Sequence, residues 1–237
     1  MSALLLVDIQ NDFLPPHGSL AVPGGDKVIP AVLRLLADST TPFDLVVASQ
    51  DYHPPHHVSF ASSHPNRRPF DTIRLRHPVS DEEIEQELWP DHCVGGTVGA
   101  EIEARIAAEL GKPGRVSRIV RKGGDINLDA YSAEYLAFDH PASKLMPVSR
   151  SEKLEANITR LVVAGLATDF CVRASVLAAL AESAKLPPSD RWEVVVVPEA
   201  VRGVYADREA SVLAELESQG ARIVAIDDIL SERGSTR

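Results

Sequence analysis

Six short apolar runs, separated by stretches with helical periodicity, constrain this chain more than any other feature of its sequence. The runs cover residues 3–7, 45–49, 118–121, 160–166, 193–197 and 222–226. Each is about the length of a strand buried on both faces, and most lack the apolar–polar alternation of a strand with one wet face. Amphipathic patterns at 28–37, 100–110, 170–184 and 208–219 read as helices. Strand, helix, strand repeated in this way predicts an α/β fold of three layers, α/β/α, around a mainly parallel sheet. The chain has 237 residues and a hydrophobic fraction of 44%, enough for a sizeable core. It shows no internal repeat, low-complexity linker or sharp shift in composition. One domain over 1–237 is the expectation.

One region breaks the rhythm. Residues 51–97 are rich in Pro, His, Asn and Arg, with a single short helix expected around 81–88. So long an irregular excursion in a compact α/β domain points to function or disorder. The net charge of -10, with no block of Lys or Arg, makes nucleic acid and anionic membranes poor partners. No apolar run is long enough to span a bilayer, and no basic region precedes the first one. The expected location is the cytoplasm. Two cysteines, Cys93 and Cys171, cannot form a disulfide framework, so either can be a free nucleophilic thiol.

Ligands of open parallel sheets sit at the carboxyl ends of the strands, so the polar residues just past each run come first. They are Asp8, then Asp51 and His53, then Lys122, then Thr168, Asp169 and Cys171. Cys171 falls in the expected first turn of a helix capped by Thr168 or Asp169, where the helix dipole favours a thiolate. A small buried side chain that only packs the helix is the alternative. Asp8 can take a proton from the thiol and return it to a leaving amine, or it can cap a turn, as Asp12 is expected to do. Lys122 is either a buried ammonium that balances both groups or a solvated lysine at a strand end. Asp51, His53 and His92 give one carboxylate and two imidazoles, a donor set that suits a divalent transition metal. His57 is a candidate fourth ligand or a holder of metal-bound water. Loop histidines that serve only as surface polar groups remain the alternative. Cys93, beside His92, reads as structural.

These motifs resemble the nicotinamidase branch of the isochorismatase-like cysteine hydrolases, in family order and over nearly the whole chain. The matching pieces are Val7-Asp8-Ile9-Gln10-Asn11-Asp12-Phe13, Asp51-Tyr52-His53-Pro54 with His57-Val58-Ser59-Phe60, and Trp89-Pro90-Asp91-His92-Cys93-Val94. Lys122-Gly123 with Tyr131-Ser132 follows, and Gly165 to Arg173 closes the series. The resemblance implies a six-stranded parallel sheet between helices and a catalytic triad of Asp8, Lys122 and Cys171. It implies a cis peptide bond at Leu166–Ala167 and an oxyanion hole of the backbone N–H groups of Ala167 and Cys171. One divalent ion is implied on Asp51, His53 and His92, zinc first, with iron or manganese as alternatives. Phe13, Trp89 and Tyr131 would flank the substrate ring. The implied reaction turns nicotinamide into nicotinate and ammonia, with pyrazinamide as a further substrate. Another amidase of the superfamily, acting on a ureido or carbamoyl group, is the runner-up; a non-catalytic metal- or ligand-binding protein is a distant third. A homo-oligomer is compatible with the sequence. The chain departs from the family pattern at Gly95-Gly96 and Glu134, and residues 143–152 and 185–191 look like insertions.

Overall fold

The computed structural model describes residues 2–37, 43–78, 80–132 and 158–231. Strand β1 (Ser2–Val7) explains the architecture. Successive side chains of a strand point to opposite faces, and both faces of β1 are covered. Leu4 and Leu6 pack with Val28, Ile29, Val32 and Leu35 of α1 (Val28–Leu36). Leu5 and Val7 pack on the other side with Val176 and Ala179 of α3 (Arg173–Lys185) and Leu216 of α4 (Glu209–Ser218). Helices α2 (Ala104–Leu110) and α5 (Ile226–Ser231) join the α1 layer through Ile106, Leu110, Ile226 and Ile229. A strand with no wet face needs no alternation, which is why this run, residues 3–7, is apolar throughout.

All six predicted strands form. They are β1, β2 (Leu45–Asp51), β5 (Ser117–Lys122), β6 (Arg160–Leu166), β7 (Glu193–Arg202) and β8 (Arg222–Ile223). They lie in the order β5-β2-β1-β6-β7-β8, with every pairing parallel. Chain order runs outward from β1 in both directions, so the switch point lies at the centre of the sheet, at the carboxyl ends of β1, β2 and β6. The last strand is shorter than expected, because α5 begins at Ile226. Helix α2 starts at Ala104, where the Glu103 carboxylate accepts from the N–H groups of Arg105 and Ile106 at 2.9 and 3.1 Å.

The helix expected around 81–88 is a correction. Those residues form β4 (Glu83–Glu87), paired antiparallel with β3 (Thr72–Arg76) in a separate hairpin. Glu83 lies opposite Arg76 and Glu85 opposite Arg74. Opposite charges facing each other across a ribbon stabilise it, whereas a helix would crowd the same glutamates on its own turns. Glu134 and residues 143–152 lie outside the described residues. Among the described residues no helix is long and apolar enough to cross a membrane.

Candidate active site

The strand ends deliver the predicted groups to one place. Asp8 follows β1 with φ 46°. Lys122 ends β5, and its Nζ lies 2.9 Å from Asp8 Oδ2, 2.5 Å from Asp51 Oδ1 and 3.3 Å from Cys171 Sγ. All four residues are buried. Ser49 on β2 donates its hydroxyl to Asp8 Oδ1 at 2.7 Å. Asp8 Oδ2 meets the Lys122 ammonium at 2.9 Å, and a carboxylate oxygen of Asp8 lies within 4.8 Å of the Cys171 sulfur. Gly165 (φ 127°) permits this closeness: a Cβ there would lie 2.0 Å from the Val7 carbonyl oxygen.

Cys171 sits in a π-helical turn, Thr168–Val172, that leads into α3. Neither Thr168 nor Asp169 caps it, which corrects the expected cap. The Asp169 carboxylate reaches instead to the N–H groups of Val204 and Tyr205, both at 2.9 Å, and ties the loop after β7 to the nucleophile turn. The Leu166–Ala167 peptide bond is cis.

Burial and charge set the protonation states. Burial pushes the Cys171 thiol well above its ordinary value, with Lys122 pulling the other way. Burial raises Asp8 to about 6 against the pull of Lys122. Burial also acts to raise Asp51, but Lys122 and His53 hold its carboxyl far below the usual range. For Lys122 burial disfavours the ammonium, and the two carboxylates more than reverse this. Cys171 is thus held toward its thiol, Asp51 toward its carboxylate and Lys122 toward its ammonium.

On the far side of Asp51 stands the second group. Donor atoms of Asp51, His53 and His92 lie within 4.8 Å of one another, and all three residues are buried. His53 donates Nδ1–H to the Gly123 carbonyl at 2.9 Å, and His92 donates Nδ1–H to the Pro90 carbonyl at 2.8 Å. Each bond fixes the tautomer that leaves Nε2 as the lone pair. His53 Nε2 is buried with no hydrogen-bond partner, and burial lowers His92 to about 4, which keeps its imidazole neutral. Burial acts to lower His53, but Asp51 beside it raises that imidazole overall; one carboxylate and two imidazoles of fixed orientation fit a divalent metal ion. His57 stands behind His53, ring centroids 4.2 Å apart. Its own nitrogens meet Ser59 Oγ at 2.8 Å and the Leu128 carbonyl at 3.2 Å, so it falls outside the cluster. Cys93 is buried and belongs to neither group; Asp12 accepts from its N–H at 2.7 Å and so acts as the loop anchor expected.

A recess opens onto both groups. Phe13, Trp89, Tyr131 and Phe170 line it beside His92, Asp51 and Cys171. The rings meet at steep angles, Trp89 and Phe170 with centroids 4.8 Å apart at 90°.

No protein-family model matches the chain. The nicotinamidase of Acinetobacter baylyi is 41% identical over 173 residues, 72% of this chain and 70% of that one. The nicotinamidase of Escherichia coli is 34% identical over 229 residues, 95% of each. The chain belongs to the nicotinamidase family. A solved pyrazinamidase of Pyrococcus horikoshii in complex with zinc superposes with a TM-score of 0.63 at 30% identity, covering 94% of this chain and 98% of that one. The fold is the isochorismatase-like one.

Sequence reasoning missed some members of the site. Gln10, inside the first motif, is wholly buried; it donates to the Asp51 carbonyl and accepts from the Asp51 N–H, both at 2.8 Å. It locks the end of β2 to the end of β1 and so positions Asp51. Ser49 was hidden in an apolar run, although a hydroxyl buried in a parallel strand needs a partner. Phe170, inside the last motif, and Asp129 also line the recess; their place beside Cys171 depends on the fold and not on local pattern.

Proposed function

We propose that this chain hydrolyses nicotinamide to nicotinate and ammonia, with Cys171 as nucleophile, Asp8 as proton carrier and Lys122 as the balancing cation. The observation that carries this reading is the 3.3 Å contact of Lys122 Nζ with Cys171 Sγ, in an aromatic recess that also exposes Asp51 and His92. Two relatives that bear the name nicotinamidase support the same substrate.

The thiol proton passes to Asp8 as sulfur bonds to the carboxamide carbon. The ammonium of Lys122 steadies the thiolate as it forms. The oxyanion is assigned to the backbone N–H groups of Ala167 and Cys171. Asp8 then gives its proton to the departing nitrogen, so ammonia leaves and a thioester remains. Water gives a proton to Asp8 as its oxygen bonds to the acyl carbon; the sulfur leaves and recovers the proton. Phe13, Trp89 and Tyr131 are assigned to the faces and edges of the ring.

One divalent ion held by Asp51, His53 and His92 would supply a Lewis-acidic point for the ring nitrogen. Zinc suits this donor set and is the ion in the P. horikoshii pyrazinamidase; iron and manganese suit it too, and metal analysis separates them. A single sheet supplies the strand ends used here, which supports reading 1–237 as one hydrolase domain.

The test is ammonia release from nicotinamide, pyrazinamide and benzamide by metal-loaded protein. Nicotinamide and pyrazinamide are turned over, and benzamide, which lacks the ring nitrogen, is a poor substrate. No ammonia from nicotinamide overturns the function, and equal rates with benzamide overturn the role given to the ring nitrogen.

A further inference from the structure

We propose that Gln86 is a positioning residue for this reaction: its side-chain amide holds Tyr131 and Asp129 in the wall of the recess. The inference rests on the nicotinamide reading above. In the β3–β4 hairpin, alternate residues share a face. Glu83 and Glu85 of β4 are exposed, whereas Gln86 is only 3% exposed. It lies opposite Ile73, as Ile84 lies opposite Leu75, so the amide occupies an inward position where alternation calls for an apolar side chain. A buried amide is costly unless its hydrogen bonds are made.

Those bonds lead to the recess. Gln86 Nε2 lies 2.7 Å from the Glu87 carbonyl, 3.0 Å from Asp129 Oδ2 and 3.1 Å from Tyr131 Oη. Two N–H bonds thus serve three acceptors. Tyr131 Oη also accepts from Trp89 Nε1–H at 3.2 Å. Trp89, Asp129 and Tyr131 all line the recess with Cys171, and Gln86 does not. Gln86 therefore stands behind the wall and ties two of its members, Asp129 and Tyr131, together. Without its N–H groups Tyr131 and Asp129 lose a shared donor, and the tilted Tyr131–Phe170 ring contact, centroids 5.7 Å apart, loses its fixed side.

The experiment compares steady-state kinetics of wild type, Gln86→Met and Gln86→Glu, with a crystal structure of Gln86→Met. Methionine keeps the length and apolar body but removes the N–H groups. Gln86→Met is expected to raise KM for nicotinamide about tenfold, the scale found when a group that holds a binding residue is lost. Its kcat and thermal midpoint stay near wild type, and the Tyr131 hydroxyl is displaced in the crystal. Gln86→Glu is expected to be worse than Gln86→Met at pH 8, because two carboxylates then face each other. It improves toward pH 5.5, where the pair can share one proton and regain a donor; Gln86→Met shows no such trend relative to wild type. An unchanged KM in Gln86→Met overturns the proposal. So does a joint fall of kcat and thermal midpoint in both variants with no pH difference, the mark of a hairpin staple alone. If wild type releases no ammonia from nicotinamide, the function reading falls, and the crystal still decides the positioning: Tyr131 left in place overturns it.

Discussion

Lys122 touches Asp8, Asp51 and Cys171 at once, and its removal is felt differently from that of the thiol. Cys171→Ser keeps the shape and leaves no unpaired charge; it should fold as wild type and lose at least ~10²-fold in kcat, the scale of one essential acid–base or nucleophilic group. Cys93→Ser should be nearly silent in the same ammonia assay. Lys122→Met strands two buried carboxylates and should cost about 3 kcal/mol of stability in urea denaturation of metal-free protein. The pH dependence follows from Asp8. Its carboxyl is raised to about 6, and only the ionised form can take the thiol proton. Activity should therefore fall as pH drops through about 6, or somewhat lower when a cation on Asp51 assists ionisation. A kcat/KM limb centred at pH 7 or above contradicts Asp8 as the base.

At the scale of elements, the strands were legible because the central ones, β1, β2, β6 and β7, are largely apolar on both faces, and the strand ends named Asp8, Asp51, Lys122 and Cys171. The hairpin was not, because Glu and Gln are good helix formers and the period of two in Glu83-Ile84-Glu85-Gln86-Glu87 is carried by a single apolar residue. With that period seen, Gln86 stands out as a polar residue on an inward face. The cap of Cys171 was misread because Asp169 spends its carboxylate on a loop distant in sequence, a tertiary choice that local pattern does not encode. Gln10 and Ser49 act across strands and were invisible for the same reason. Gly123, at the end of β5, has φ 71°, and a Cβ there would lie 2.4 Å from His53 Cε1. Gly123→Ala should push that imidazole out of line and weaken metal binding by about 10–100-fold, the usual cost of a lost supporting contact. Isothermal titration with zinc measures it; unchanged affinity would show that His53 is not held by this turn.

For the molecule as a whole, the switch point of the sheet joins a thiol half and a metal half through the shared Asp51–Lys122 pair. Purified protein should carry about one divalent ion per chain, as a single three-ligand site requires. His92→Ala should lose most of that ion and most activity on nicotinamide, with KM raised as well as kcat lowered. His64→Ala should keep both, since His64 donates to the Val58 carbonyl away from the cluster. A His92→Ala protein that retains its ion on metal analysis rules out the assigned site. The central claim, an acyl group carried on Cys171, is tested most directly by trapping with hydroxylamine. Metal-loaded protein is given nicotinamide, or methyl nicotinate, at one fixed hydroxylamine concentration, and hydroxamate and nicotinate are measured. A common thioester predicts the same ratio of hydroxamate to nicotinate from both substrates, and neither product above background with Cys171→Ser. Nicotinate alone from nicotinamide, or ratios that differ between amide and ester, would contradict a shared intermediate on this cysteine.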